Sequence, residues 1–335
     1  MNSLPTLFAV AFVIFISGCI SQSQPPTQTG IVSTSEENVT INLAYAGAPL
    51  EAVTYIANDY GFFEKEGVDV VLHQVIPTLA LPGLIAGEYQ ISMFASPNLV
   101  AFMARDSPIV LIAHGLYIPA NPKGITMDGL IVRKGLEMKS PQDLKGKIVG
   151  TPAFGSVIDI HFKHFLRINN IDIKDFEYLE VPPPQAGALL QAGKLDVYMG
   201  IQPLIVNLVS QGVVDVYRYN DWVPQNHFSS TYTTSKKFLE KHPETLGRFV
   251  RALQNAAVFM KENPDAYYET VAKYTRVNAT LLQQFPIPVP VGSDKLSINL
   301  EVLEETQNIQ LQSGFLDKKV DFSKYLDARF AGIIQ

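Results

Sequence analysis

The sequence predicts an α/β protein of two lobes, each a mostly parallel sheet flanked by helices, with a hinge between them. Three observations carry that expectation. Apolar runs of strand length alternate with stretches of helical periodicity. The alternation occurs twice, at a fixed offset of 106 residues that sets Gly87 against Gly193. The part of the chain beyond the second copy is helical and holds no third copy.

The offset aligns Leu84 to Met93 with Leu190 to Met199, and extends without a gap to Pro97 with Pro203 and Val100 with Val206. Backward it pairs Asp69 with Asp175 and Val75 with Val181, and sets Ile41 to Tyr45 against Lys147 to Thr151. Each copy reads strand, helix, strand, helix, strand. In the first, Ile41 to Tyr45 is a strand and Leu50 to Glu66 a helix closed at Gly67. Val68 to Val75 follows as a strand, and Thr78 to Ala86 as a short helix, with Thr78 as its cap and Gly87 as its left-handed stop. Pro82 and Gly83 weaken that helix from within, and Ile91 to Ala95 is the third strand. The second copy has strands Lys147 to Thr151, Phe176 to Val181 and Asp196 to Gly200, with helices Val157 to Asn169 and Gln185 to Ala192. A further strand runs from Ile109 to Ala113, and Ser235 to Tyr274 and Lys295 to Ser313 read as helices. Those late helices need a sheet to cover. Their return to the first lobe makes two or more crossings, which assigns 39–127 and 231–335 to lobe I and 128–230 to lobe II. Two independent neighbouring domains are the plainer alternative.

The chain's only cysteine, Cys19, closes the tetrad Ile16, Ser17, Gly18, Cys19 behind the apolar run Leu7 to Ile16. About ten apolar residues are too few to span a bilayer of roughly 30 Å, but they suit an export signal. The tetrad resembles a lipobox, which makes 1–18 a signal peptide and Cys19 the lipidated new N-terminus. Residues 19–38 are rich in Ser, Gln, Pro and Thr and read as a flexible tether. No Lys or Arg precedes the apolar run, so anchoring by the uncleaved segment is the alternative. Either way the folded part lies outside the cytoplasm.

Just under 300 residues then remain, enough for two lobes of about 150. With Cys19 used at the anchor, disulfides and cysteine metal sites are excluded. A net charge of -6 without a basic block offers nothing to nucleic acid. No phosphate-binding loop of the Walker kind is present, so no nucleotide or other cofactor is expected.

The segments Tyr60 to Val70 (YGFFEKEGVDV), Ala86 to Ser92 (AGEYQIS), Ser140 to Thr151 (SPQDLKGKIVGT), Gln191 to Gly200 (QAGKLDVYMG) and Phe238 to Leu253 (FLEKHPETLGRFVRAL) together resemble a known family. It is that of the solute-binding lipoproteins of ABC importers for nitrate, sulfonates, taurine and thiamine-precursor pyrimidines. The resemblance implies a type II periplasmic-binding-protein fold and an extracytoplasmic protein that captures a small solute between its lobes. It implies as partners a membrane permease and its ATPase, with membrane attachment through the lipid anchor. Gln90 departs from the acid usual in the family, which the second copy keeps as Asp196. That acid reads as structural.

In open parallel sheets, ligands bind beyond the carboxyl ends of strands where strand order reverses. This selects Ala46, Gly47 and Ala48, then Ser96, Pro97 and Asn98, in the first lobe. In the second it selects Phe154, Gly155 and Ser156, then Gly200, Ile201 and Gln202. Backbone N–H groups at the helix starts would face the cleft and welcome anions or carbonyl-like acceptors. Each residue also has a plain structural use, as a turn glycine, a helix-starting proline or a capping serine. His114, after its strand, and His227, near the return crossing, are further candidates. No Lys or Arg lies in these loops, which argues against a dicarboxylate or phosphate. A small anion held by backbone donors and a neutral heteroaromatic stacked on Tyr45, Phe154 or Tyr198 both fit, and sequence leaves the choice open.

An enzyme is the competing class, since the pyrimidine synthases of thiamine biosynthesis use a similar fold. Their cysteine-rich motif is missing, and no catalytic set stands at recognisable spacing, so no catalytic residue is expected. His161 and His164 read as a surface pair on one helix, without a third ligand for a metal. A ligand-sensing receptor domain is a further reading.

Overall fold

The computed structural model describes residues 39–335 apart from 121–123, 292–294, 328, 330–332 and 335. The expectations for the signal, Cys19 and the tether lie outside the described residues.

In chain order, β1 (Thr40–Tyr45) leads through a single 3-10 turn (Pro49–Glu51) to α1 (Ala52–Asp59), α2 (Phe62–Lys65) and β2 (Asp69–Gln74). Then come α3 (Pro77–Ala86), β3 (Ile91–Ala95), α4 (Ser96–Met103) and β4 (Ile109–Tyr117). A first crossing leads to β5 (Asp128–Arg133), β6 (Ile148–Thr151), α5 (Val157–Ile168) and β7 (Glu177–Glu180). These are followed by α6 (Pro183–Gln191), β8 (Val197–Ile201), α7 (Leu204–Ser210) and β9 (Val214–Tyr219). The return crossing holds a 3-10 turn (Gln225–His227) and enters β10 (Ser229–Ser235), α8 (Lys236–Lys241), α9 (Pro243–Glu262) and α10 (Pro264–Thr275). The chain closes with α11 (Ala279–Leu282), β11 (Val289–Pro290), β12 (Ile298–Asn299), α12 (Leu300–Gln312) and β13 (Ile333–Ile334).

Two mixed sheets result, ordered β11-β4-β10-β3-β1-β2 and β7-β6-β8-β5-β9, with β12 and β13 forming a small separate pair. Each crossing delivers an antiparallel strand into the interior of the sheet it reaches: β5 beside β8, and β10 between β3 and β4. This is the two-lobed type II periplasmic-binding-protein architecture.

The internal repeat holds at the level of hydrogen-bond register. Leu43 faces Ile91 in the first sheet, and Val149 faces Val197 in the second, each residue displaced by the same offset. Asn42 faces Val71 as Ile148 faces Glu177. Gln90 and Asp196 are equivalent in use as well. Gln90 Oε1 accepts the Asn42 N–H at 2.9 Å, and Asp196 Oδ2 accepts the Ile148 N–H at 3.0 Å. The departure from the family's acid therefore leaves the bond that ties the third strand to the first intact.

Helices cover both faces of the first sheet. On one side, α1, α2, α9 and α10 bury Tyr55, Phe63, Phe249 and Leu253 against Ile41, Leu43 and Ile91. On the other, α3, α4 and α12 pack around Phe94, Leu99 and Leu111. In α9 the apolar positions Leu246, Phe249, Val250, Leu253, Ala256 and Met260 recur at helical spacing, and Pro243 opens the helix where no N–H is needed. Each such aliphatic or aromatic side chain contributes about 1.5–3 kcal/mol by leaving water. The second sheet is covered by α5 on one face, through Phe162 and Phe165, and by α6 and α7 on the other. No helix among the described residues is long and apolar enough to cross a membrane.

Four expectations need correction. The helix expected from Lys295 starts at Leu300, behind the short strand β12. The helix expected from Leu50 to Glu66 is broken at Gly61, whose φ of 70° turns the chain left-handed. The helix expected to be capped by Thr78 starts at Pro77, with Ile76 as the preceding extended residue. The strand expected to stop at Ala113 continues to Tyr117, because β10 pairs along it and β11 pairs with its end.

Candidate functional site

The carboxyl ends of β1 and β3 in one sheet, and of β6 and β8 in the other, lie where the two crossings run, and the selected loops leave from these ends. The loop Ala46–Ala48 is a nest of three N–H groups. Gly47 makes the turn at a φ of 93°, a left-handed conformation that residues with a Cβ rarely adopt, and a Cβ there would also press on the end of the Gln74 side chain, 2.3 Å from its nitrogen. The nest is filled from within. Glu51 Oε1 accepts the Ala46 N–H at 2.8 Å, and its Oε2 accepts those of Gly47 and Ala48, both at 2.7 Å. The Tyr55 hydroxyl donates to the same Oε2 at 2.7 Å. Burial pushes the Glu51 carboxyl up, and the four donors work against that shift. Tyr55 is also pushed up, first by burial and then by the Glu51 charge. It stacks on Tyr274 at 4.3 Å and meets Tyr45 edge-on.

The matching loop of the second lobe is arranged alike. Phe154 N–H donates to Glu180 at 2.8 Å and Gly155 N–H to Asp159 Oδ2 at 2.7 Å. Ser156 caps α5 by accepting the Asp159 N–H at 3.3 Å, which is its plain structural use. Asp159 is fully buried and also takes bonds from Lys163 and the Tyr178 hydroxyl. In the loops after β1 and β6, the N–H groups of Ala46, Gly47, Ala48, Phe154 and Gly155 are thus engaged by the protein's own carboxylates. Of the aromatics proposed for stacking, Tyr198 is wholly buried, with its hydroxyl on the Val181 carbonyl, so it belongs to the core. Tyr45 is 9% exposed, whereas Phe154 is 52% exposed with one side against Tyr178 at 5.3 Å.

The remaining candidates lie deeper. Ser96 is the first residue of α4 rather than part of a loop, and is buried. Its hydroxyl meets those of Ser229 at 2.7 Å and Thr231 at 3.2 Å. His114 joins the cluster through Nε2 to Ser229 at 3.1 Å and accepts the Asn299 N–H on Nδ1 at 3.2 Å. That pattern fixes the neutral ring protonated at Nε2, and burial lowers its pKa to about 3. Both ring nitrogens are engaged within the fold. Pro97 is buried with its carbonyl bonded to Gln310, while Asn98 remains partly exposed. Gly200 lies within β8, where a Cβ would meet Ile205 at 2.8 Å. Gln202, 7% exposed, ties the Thr126 carbonyl to the Val206 N–H across the first crossing.

The expected surface histidines are buried instead. His161 is 1% and His164 8% exposed. His161 Nδ1 bonds Asp128 Oδ2 at 2.8 Å, and its Nε2 bonds His227 Nδ1 at 2.7 Å. Asn220 braces both Asp128 oxygens at 3.0 and 2.9 Å. This Asp–His–His chain ties the start of β5, helix α5 and the return crossing together. Among the described residues, His227 Nε2 and His164 Nδ1 have no hydrogen-bond partner. Burial lowers the His164 pKa, helped by Arg167 and His161, and lowers that of His227 well below its ordinary value, helped by His161 and His164. Beside it Ile160 of α5 packs with Val223 and with Ile309 of α12. Lys163 also stands 4.6 Å from the Phe315 ring. Among the described residues no group of three or more His, Cys, Asp and Glu side chains is placed to hold a metal.

Sequence reasoning passed over Glu51 and Asp159. Asp159 stands three residues after Ser156, at the spacing of a capping box, which was the available signal, whereas Ala48 before Glu51 has no capping side chain and gave none.

Two lobes joined by two crossings, with the loops of both at the junction, have the architecture of a two-lobed solute-binding protein. Residues 49–267 match the family described as NMT1/THI5 like, and the chain belongs to that family. It is similar to the formylaminopyrimidine-binding protein of Halalkalibacterium halodurans, 24% identical over 91% of this chain and 87% of that one. It is also similar to the putative aliphatic sulfonates-binding protein of Bacillus subtilis, 22% identical over 96% of this chain and 93% of that one. Among solved structures, the periplasmic aliphatic sulphonate binding protein of Escherichia coli superposes with a TM-score of 0.69 at 18% identity, covering 87% and 98% of the two chains.

Proposed function

We propose that this chain is the extracytoplasmic solute-binding component of an ABC importer, held to the membrane through a lipidated Cys19, and that its solute is a small nitrogen-bearing heteroaromatic of the aminopyrimidine kind. The solute lies between the loops after β1 and β3 and those after β6 and β8, and a permease with its ATPase receives it. The observation that carries the choice of solute is Phe154. It presents a half-exposed ring on a loop whose N–H groups already bond Glu180 and Asp159. A flat heteroaromatic gains by stacking there, and its amino groups are compatible with nearby carboxylates. The Phe154 and Gly155 N–H groups that a sulfonate or nitrate would use are already engaged. Similarity to a formylaminopyrimidine-binding protein over most of both chains supports this reading.

The test is a thermal-shift series on the detergent-solubilised full chain with 4-amino-5-hydroxymethyl-2-methylpyrimidine, formylaminopyrimidine, nitrate, taurine and methanesulfonate. A solute at about 100 times its Kd adds about 2.7 kcal/mol and raises the midpoint clearly. A rise with the aminopyrimidines alone is the expected result. A rise with nitrate or a sulfonate alone would sink the choice of solute. Mass analysis of the N-terminal peptide, compared with that of Cys19→Ala, reads the anchor separately.

A further inference from the structure

Glu51 bonds all three N–H groups of the nest after β1 and is 4% exposed. Three convergent backbone donors at a left-handed glycine are the arrangement by which proteins hold oxyanions. Here two carboxylate oxygens of the chain itself stand in for the oxyanion, with the Tyr55 hydroxyl as a fourth donor. We propose that Glu51 is the specificity-determining residue of the first lobe: a resident carboxylate that fills the oxyanion nest and so makes the cleft refuse anionic solutes. The inference rests on the reading above that these loops form the solute site.

The exclusion acts twice. The carboxylate occupies the volume and uses the donors that a planar or tetrahedral oxyanion would need. Its charge, in a setting shielded from water, repels a second anion at the same loop. Other features agree. Tyr55, in edge-on ring contact with Tyr45, reaches Glu51 through its hydroxyl and holds the carboxylate in the nest. Glu51 also occupies the capping-box position of the turn Pro49–Glu51, so it has a structural use as well. The two roles differ in what happens when the carboxylate is removed. A cap that is lost leaves a weaker turn, whereas a resident anion that is lost leaves a vacant oxyanion site.

The experiment is Glu51→Ala in the full chain, with formate, nitrate and methanesulfonate as probes and chloride at equal ionic strength as control. Saturable binding of at least one oxyanion, ten-fold or more tighter than in the unsubstituted chain, is the expected result. It should be accompanied by movement of the Gly47 and Ala48 amide signals in NMR spectra. If Glu51→Ala unfolds, refolding driven by formate or nitrate and not by chloride is the expected result. A folded variant without gained oxyanion binding overturns the proposal, as does one that stays unfolded with every oxyanion. So does an unsubstituted chain that binds nitrate as tightly as the variant. The aminopyrimidine series on the unsubstituted chain tests the solute reading separately. If that series fails while Glu51→Ala gains an oxyanion, the solute class is wrong and the role of Glu51 stands.

Discussion

His161 Nε2 and His227 Nδ1 stand 2.7 Å apart between two buried rings, so a single proton is shared where the second lobe meets the return crossing. His161 is anchored to Asp128 on its other side, and a further proton entering the pair finds no partner at His227 Nε2.

That geometry sets the sign of a pH effect. His227 and His164 are lowered from their ordinary value of 6.5, chiefly by burial, and His114 is lowered to about 3. The unfolded chain therefore takes up protons first as pH falls, and stability is lost from about pH 6.5 downward, reaching toward pH 3 for His114. Urea midpoints should be level between about pH 7 and 8 and drop from about 6.5 down. In a Glu51→Gln background, where the raised Glu51 carboxyl no longer opposes the trend, a flat or rising midpoint between about pH 6.5 and 5 would contradict this assignment.

Gly47→Ala should destabilise by about 1–3 kcal/mol, since it combines a left-handed φ with a clash against the Gln74 amide. Denaturant midpoints measure it. Gln74→Ala in the same background should recover the steric part only. Full recovery would mean that the backbone conformation costs nothing.

Phe154→Ala should leave the midpoint of the solute-free protein nearly unchanged, because the ring is 52% exposed. Affinity for an aminopyrimidine should fall by about 3- to 10-fold, the equivalent of about 0.5–1.5 kcal/mol for one aromatic contact. Calorimetric titration gives the number. Equal affinity would remove Phe154 from the site.

Ile309→Ala opens a cavity between α5, α12 and Val223. The expected loss is about 2–4 kcal/mol. Because the cluster spans both lobes, the radius of gyration from small-angle scattering should respond too. A stability loss without a change in shape would show that the seam does not set the angle between the lobes.

The repeat was legible because its strands are covered on both faces and its helices end at Gly87 and Gly193, both left-handed. The crossing strand β10 was not. It reads Ser-Ser-Thr-Tyr-Thr-Thr-Ser, a polar string, yet six of its seven residues are buried. Most of its hydroxyls find partners on distant parts of the chain, Thr234 on the Gln90 carbonyl at 2.8 Å and Ser230 on the Leu50 carbonyl at 3.1 Å, while Thr233 Oγ1 has none among the described residues. Hydropathy cannot see such pairing. The site followed the same division. Strand ends located the loops, but whether their N–H groups are free depends on Glu51, Asp159 and Glu180. Glu180 lies 26 residues from Phe154 in sequence, beyond the reach of a local motif.

The placement of β10 also sets the order in which the molecule can be built. Every strand of the second sheet comes from one continuous stretch, Asp128–Tyr219, whereas the first sheet keeps a gap between β3 and β4 until Ser229–Ser235 has been made. A chain growing from its N-terminus therefore completes the later-encoded lobe first. Until then the earlier lobe carries two unpaired strand edges, the kind of surface on which a nascent chain aggregates or is held by a chaperone.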